Sequence, residues 1–180
     1  MKRISILFVC TLLLSGCTST PKLDGNGVIP GCDEIRVGVA SDKKLELPCL
    51  DGSTAVDFYQ ITGPIVINIW GSWCQGCRQE MPYFIDLYAT QSFMSGQIQL
   101  LGIDVEEKSP TSGPDYIKQS GMSWPHLNDV NDQTKAIFGP GVPVTWFIDS
   151  QGVVVGKQIG AYQNKKQLFD QVEKAFGITL

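Results

Sequence analysis

The residues best equipped for chemistry are Cys74 and Cys77, in the run Trp73-Cys74-Gln75-Gly76-Cys77. Two thiols at this spacing can close a disulfide, and in either redox state they can exchange with thiols or disulfides of another molecule. The thiolate is the attacking species, so local position decides which cysteine begins the exchange. Pro64-Ile65-Val66-Ile67-Asn68-Ile69-Trp70 is short, β-branched and almost wholly apolar, the pattern of a strand covered on both faces, and Gly71-Ser72 breaks it. From Gln75 onward the spacing turns helical, with Cys77, Met81, Phe84 and Tyr88 on one side. Cys74 therefore falls at the first turn of a helix, where unpaired N–H groups and the positive end of the macrodipole favour an anion. Cys74 is the expected attacker. Cys77, almost one turn further in, is placed to attack the mixed disulfide and release the partner reduced.

Other chemistries use the same pair. Half of a structural zinc site would need a second knuckle, which Cys32 and Cys49 are too far apart to form. An inert staple across so small a ring would restrain little of the unfolded chain. A metal-binding chaperone would hold a soft ion between the two thiols, but no Met- or His-rich stretch accompanies them. The redox reading needs no cofactor other than the Cys74–Cys77 disulfide and no metal.

The N-terminus addresses the chain. Met1-Lys2-Arg3 is basic, Ile4 to Leu14 is apolar, and Leu14-Ser15-Gly16-Cys17 closes the segment with small residues. This is an export signal, short for a bilayer span. Its ending resembles the bacterial lipobox, which implies a lipoprotein signal peptide at residues 1–16, cleavage before Cys17 and a lipid on that residue; an ordinary signal peptide cut elsewhere is the alternative. Residues 17–38 then read as the lipidated cysteine and a tether rich in Thr, Ser, Gly and Pro, and 39–180 as one domain. Loss of Lys2 and Arg3 shifts the formal charge from −4 further towards acid, which argues against nucleic acid as a partner. Membrane association would rest on the anchor, since no Lys/Arg block remains. Outside the cytosol the four mature thiols divide into two pairs, so Cys32 and Cys49 are expected to form a structural disulfide; resolution of a mixed disulfide by one of them is the alternative.

The elements that must hold the pair follow from the same pass. Leu45–Leu50 and Ala55–Phe58 read as a hairpin, Ile98–Val105 as a strand, Thr111–Ser120 and Asp132–Phe138 as helices. The helix after Cys74 is expected to run to about Met94. Val144–Asp149 and Val153–Ile159 form a second hairpin, and Asn164–Phe176 a closing helix stopped at Gly177. The order gives an α/β sandwich of a mixed sheet and flanking helices.

Three motifs in order carry a specific likeness: Asn68 to Pro82 around the cysteines, Leu101-Gly102-Ile103-Asp104, and Gly141-Val142-Pro143-Val144-Thr145-Trp146-Phe147-Ile148-Asp149. They resemble the TlpA/ResA-like branch of the thioredoxin superfamily, from about Val39 to the C-terminus. The resemblance implies a thioredoxin-like α/β fold with an N-terminal β-hairpin extension. It also implies an extracytoplasmic, membrane-anchored thiol–disulfide oxidoreductase, often a reductant in cytochrome c maturation. Its clients would be disulfides of exported proteins, with apocytochrome c among them, and a membrane thiol donor would restore it. A disulfide-forming oxidase would use the same residues in reverse. Val142-Pro143 matches the family's cis-proline loop, which lies against the cysteines and offers backbone to a substrate. Glu80 matches its acidic position and is expected to accept the Cys77 proton, although a solvated acid is the plain alternative.

Around the pair, Trp73 is expected to be an apolar platform for partner chains and Trp70 a core residue. Arg78 is expected to point to water, Asp104 to be a loop acid, and His126 to sit on the surface or in loop packing. The peroxidatic Thr-x-x-Cys arrangement is absent, since Gly71 stands at the threonine position.

Overall fold

A computed structural model describes residues 29–39 and 41–180. The signal segment, Cys17 and the first part of the tether lie outside the described residues. At the centre stands β3 (Ile65–Trp70), every residue of which is buried. It pairs in parallel with β4 (Gln99–Val105) and antiparallel with β6 (Val144–Ile148). β5 (His126–Asp129) adds in parallel to β4, and β7 (Val154–Ile159) antiparallel to β6, giving the order β5-β4-β3-β6-β7. β1 (Glu46–Pro48) and β2 (Ala55–Asp57) form a separate antiparallel hairpin, followed by a single 3₁₀ turn at Phe58–Gln60.

Alternation along the strands sorts the core into two layers. Ile65, Ile67, Ile69, Leu101, Ile103, Val144, Trp146 and Ile148 face the hairpin and α4 (Lys135–Phe138). Val66, Trp70, Leu100 and Phe147 face α1 (Gln75–Tyr88), α2 (Gln91–Met94), α3 (Ser112–Ser120) and α5 (Lys165–Phe176). Asn68, Thr145, Gly102 and Asp104 share the helix-side parity, so a polar strip crosses the sheet under α1.

The structure changes several sequence expectations. The helix after Cys74 stops at Tyr88, because Thr90 turns extended and its Oγ donates to Leu87 O at 2.8 Å; α2 is a separate short turn. The short helix begins only at Lys135, since Asp132 takes a positive φ of 56° and the Asp129 carboxylate accepts the N–H groups of Gln133 and Thr134. β5 was not expected at all. The boundary at 38/39 also moves: Cys32 and Ile35 are buried in the core cluster and Val37 bridges Ile61, so the folded body takes in the end of the segment assigned to the tether. Cys32 is bonded to Cys49 with their Cα atoms 5.9 Å apart, fastening that segment to the hairpin.

Candidate active site

Cys74 is the N-cap of α1. Its extended backbone (φ −80°, ψ 112°) directs Sγ at the helix start, where it accepts the Cys77 N–H at 3.1 Å. This is the position at which a sulfur anion gains most from orphan N–H groups. The two cysteines form a disulfide, Cα to Cα 5.3 Å. Cys74 keeps 5 % exposure and Cys77 none, so an incoming partner can reach the first sulfur and not the second. The strand-to-helix order of the sequence thus translates into distinct positions and accessibilities for two chemically identical residues.

The cis peptide bond Val142–Pro143 lies at the start of β6. The Pro143 ring rests against Gly76: a Cβ at Gly76 would stand 3.3 Å from Pro143 Cδ and 3.5 Å from Ala161 Cβ. Glycine between the cysteines therefore permits the close approach of the proline loop. Trp73 is 45 % exposed, its indole folded over Gly71 with Nε1 donating to Val105 O at 3.3 Å. Trp73 and the half-buried Val142 line a shallow surface depression floored by Ile69, Val105 and Phe138.

Glu80 lies one turn beyond Cys77, fully buried, and is no solvated acid. Its Oε1 accepts from Asn68 Nδ2 at 3.1 Å and its Oε2 from the Tyr162 N–H at 2.9 Å. Asn68 in turn reaches Thr145 Oγ1 at 3.5 Å. Burial pushes the Glu80 carboxyl up to about 7, and the bonds from Tyr162 and Asn68 pull in the opposite direction without cancelling it. A carboxyl poised near neutrality can take or give a proton next to a thiol. Asn68 and Tyr162 are site residues that the sequence reading missed; an amide in an otherwise apolar strand was the one signal available.

Three further expectations are corrected. His126 is neither on the surface nor in a loop: it is fully buried on β5, where its Nδ1 accepts from Trp70 Nε1 at 3.2 Å. Burial pushes its pKa down to about 3, so the ring is neutral. Gly102 opposite it makes this possible, because a Cβ there would overlap the imidazole. Asp104 is buried within β4 and not in a loop. Arg78, though exposed, lies with its guanidinium 4.5 Å from the Tyr116 ring centroid and donates to Ser72 O at 3.0 Å. Trp70 is in the core as expected.

The comparisons with known proteins agree with this geometry. Residues 40–157 match the AhpC/TSA family model. The thiol-disulfide oxidoreductase ResA of Bacillus cereus is 27% identical over 184 residues, covering 97% of this chain and 98% of that protein. ResA of Geobacillus kaustophilus is 32% identical over 123 residues, 60% of this chain and 67% of its own length. Among solved structures, a secreted Mycobacterium tuberculosis disulfide oxidoreductase superposes with a TM-score of 0.62 at 18% identity, covering 73% of this chain and 96% of that chain. An exposed lipoprotein thioredoxin of Streptococcus pneumoniae gives 0.57 at 21%, covering 73% and 99%. These two likenesses concern the fold, which is thioredoxin-like. With a disulfide at the strand–helix junction and ResA likeness along nearly its whole length, the chain belongs to the AhpC/TSA family as a thiol–disulfide oxidoreductase of the ResA type.

Proposed function

We propose that the protein is a membrane-anchored reductase of disulfides in exported proteins, with Cys74 as attacker, Cys77 as resolver and Glu80 as proton acceptor. The Cys74 thiolate attacks one sulfur of a client disulfide, forming a mixed disulfide and releasing the first client thiolate. Cys77 then gives its proton to Glu80 and attacks Cys74 Sγ, releasing the second client thiolate and closing Cys74–Cys77. Two electrons pass to the client, and a membrane thiol donor returns them to the pair. Trp73, Val142 and Pro143 receive an extended client segment beside the reacting sulfur.

The observation that carries the direction of electron flow is Glu80. A disulfide exchanger is strongly oxidising when its thiolate is stabilised, and here the buried titratable group one turn from Cys77 is an acid, whose charge opposes thiolate formation. Lipid attachment at Cys17 and apocytochrome c as client follow from the lipobox and family resemblances. The test is Cys77→Ser in the full chain: Cys74 should then hold its client as a stable mixed disulfide, identified by mass spectrometry from membrane fractions. A measured reduction potential near that of strong oxidants would reverse the direction, and an untrapped, unreactive Cys74 would remove it from its role.

A further inference from the structure

A pair of acids, Asp104 and Glu107, sits beside the loop that leads into Cys74, outside the redox motif. Asp104 lies opposite Trp70 in the β3–β4 register and is buried. Its Oδ1 has no hydrogen-bond partner among the described residues, and its carboxyl fills the space that Gly113 of α3 leaves by lacking a side chain. Glu107, just past the end of β4, turns back to the active-site loop. It accepts the Ser72 N–H on Oε1 and the Ser72 O–H on Oε2, the latter at 2.6 Å. The Ser72 carbonyl accepts from Arg78. Ser72 is thus held at all three of its polar groups, and the turn closes with the Cys74 N–H on Gly71 O at 3.0 Å.

The Asp104 carboxyl meets that of Glu107 at hydrogen-bonding range, and burial together with this neighbour pushes Asp104 up to about 9. At neutral pH Asp104 is therefore protonated. Of the other charged or titratable groups on these elements, Arg78 from α1 is already committed to Ser72 and to Tyr116 of α3, His126 from β5 is neutral, Glu106 pairs with Lys135, and Asp115 of α3 and Lys108 are exposed.

We propose that Glu107 is a positioning residue for the Cys74 thiol, acting through Ser72, and that the proton shared with Asp104 keeps it in place. The pair is an alkaline latch on the active-site loop, separate from Glu80. When Asp104 loses its proton, two adjoining carboxylates repel and Glu107 leaves Ser72. The proposal rests on Cys74 being the attacking thiol and is indifferent to the direction of electron flow.

The test compares the full-length wild type with Glu107→Ala and Asp104→Asn. Amide hydrogen exchange at Ser72 is read by NMR as a protection factor from pH 6 to 10, without any client. The rate of Cys74 alkylation by iodoacetamide is read after reduction, with Tm as a control. Glu107→Ala should lower both Ser72 protection and the alkylation rate by about tenfold at pH 7, the loss of one charge-assisted hydrogen bond. Wild type should lose Ser72 protection as the pH passes about 9, and Asp104→Asn, whose amide donates at every pH, should keep it. Unchanged Ser72 protection in Glu107→Ala, or an alkaline loss in Asp104→Asn equal to that of wild type, would overturn the latch. So would a uniform fall in protection along β4 with a lower Tm, which a purely structural role gives. Should the predicted Ser72 behaviour appear while Cys74 proves inert to iodoacetamide, the latch stands and the role given to Cys74 fails.

Discussion

Replacing Glu80 by Gln tests the central electrostatic claim. The carboxyl lies on the buried face of α1, and desolvation pushes it up from its ordinary 4.5 to about 7. A shift of that size corresponds to roughly 3 kcal/mol of difference between its two protonation states. Its folded pKa is raised, so between 4.5 and about 7 the folded protein binds more protons than the unfolded chain. The contribution to stability is fully present below about pH 4.5 and is lost as the pH rises through 7. Asp104 is raised as well and tilts the wild-type curve in the same direction, so the quantity to follow is the difference between wild type and Glu80→Gln. The Gln side chain keeps an oxygen for the Tyr162 N–H and carries no charge at any pH. Urea unfolding of both oxidised proteins at pH 4, 5.5, 7 and 8.5 should show wild type losing about 3 kcal/mol relative to the variant across that range, with a slope no steeper than about 1.4 kcal/mol per pH unit. Stability curves that run parallel to within about 1 kcal/mol would refute the argument, and with it the claim that Glu80 can hold the Cys77 proton near neutrality.

Three other outcomes are expected. Gly76→Val should slow exchange with protein disulfides more than with a small dithiol if the proline loop receives the client as proposed, because its Cβ would press on Pro143 at 3.3 Å and lift that loop; equal slowing for both partners would place the defect at the sulfurs. Removing the Cys32–Cys49 bond by a double change to Ala should cost about 3 kcal/mol in urea unfolding for a loop of this length, while mild dithiol on the wild type should open Cys74–Cys77 first, as thiol counting would show. Gly102→Ala should cost roughly 1–3 kcal/mol through overpacking against the His126 ring, with quenching of Trp70 fluorescence altered; an unchanged midpoint would mean that the ring moves freely aside.

The parts of the fold that were legible in the sequence are those written in local pattern. Ile65–Trp70, the helix start at Cys74 and the Val144–Ile159 hairpin each announce themselves within a few residues, and the family likeness fixed the place of Pro143. β5 was not legible, because His126-Leu127-Asn128-Asp129 is short and half polar, and it is a strand only through its pairing with β4. The same cause hid the protonation chemistry. The bond from Tyr162 to Glu80 spans 82 positions and that from Ser72 to Glu107 spans 35, so no window on the chain contains both partners. An isolated Asp at a strand end reads as a loop acid until the glycine that makes room for it is seen on another element.

The Cys32–Cys49 bond has a consequence for how the molecule behaves at high concentration. β5 ends the sheet, and Cys49 bridges Leu127 antiparallel while the Leu50 N–H bonds His126 O at 2.7 Å. The stapled segment therefore lies along what would otherwise be an open sheet margin, the kind of surface on which chains join strand to strand. At the opposite margin β7 turns Lys157 outward over Trp146, a charge that discourages such joining. Loss of the staple would then be felt as self-association through that margin, whatever the state of the reactive sulfurs.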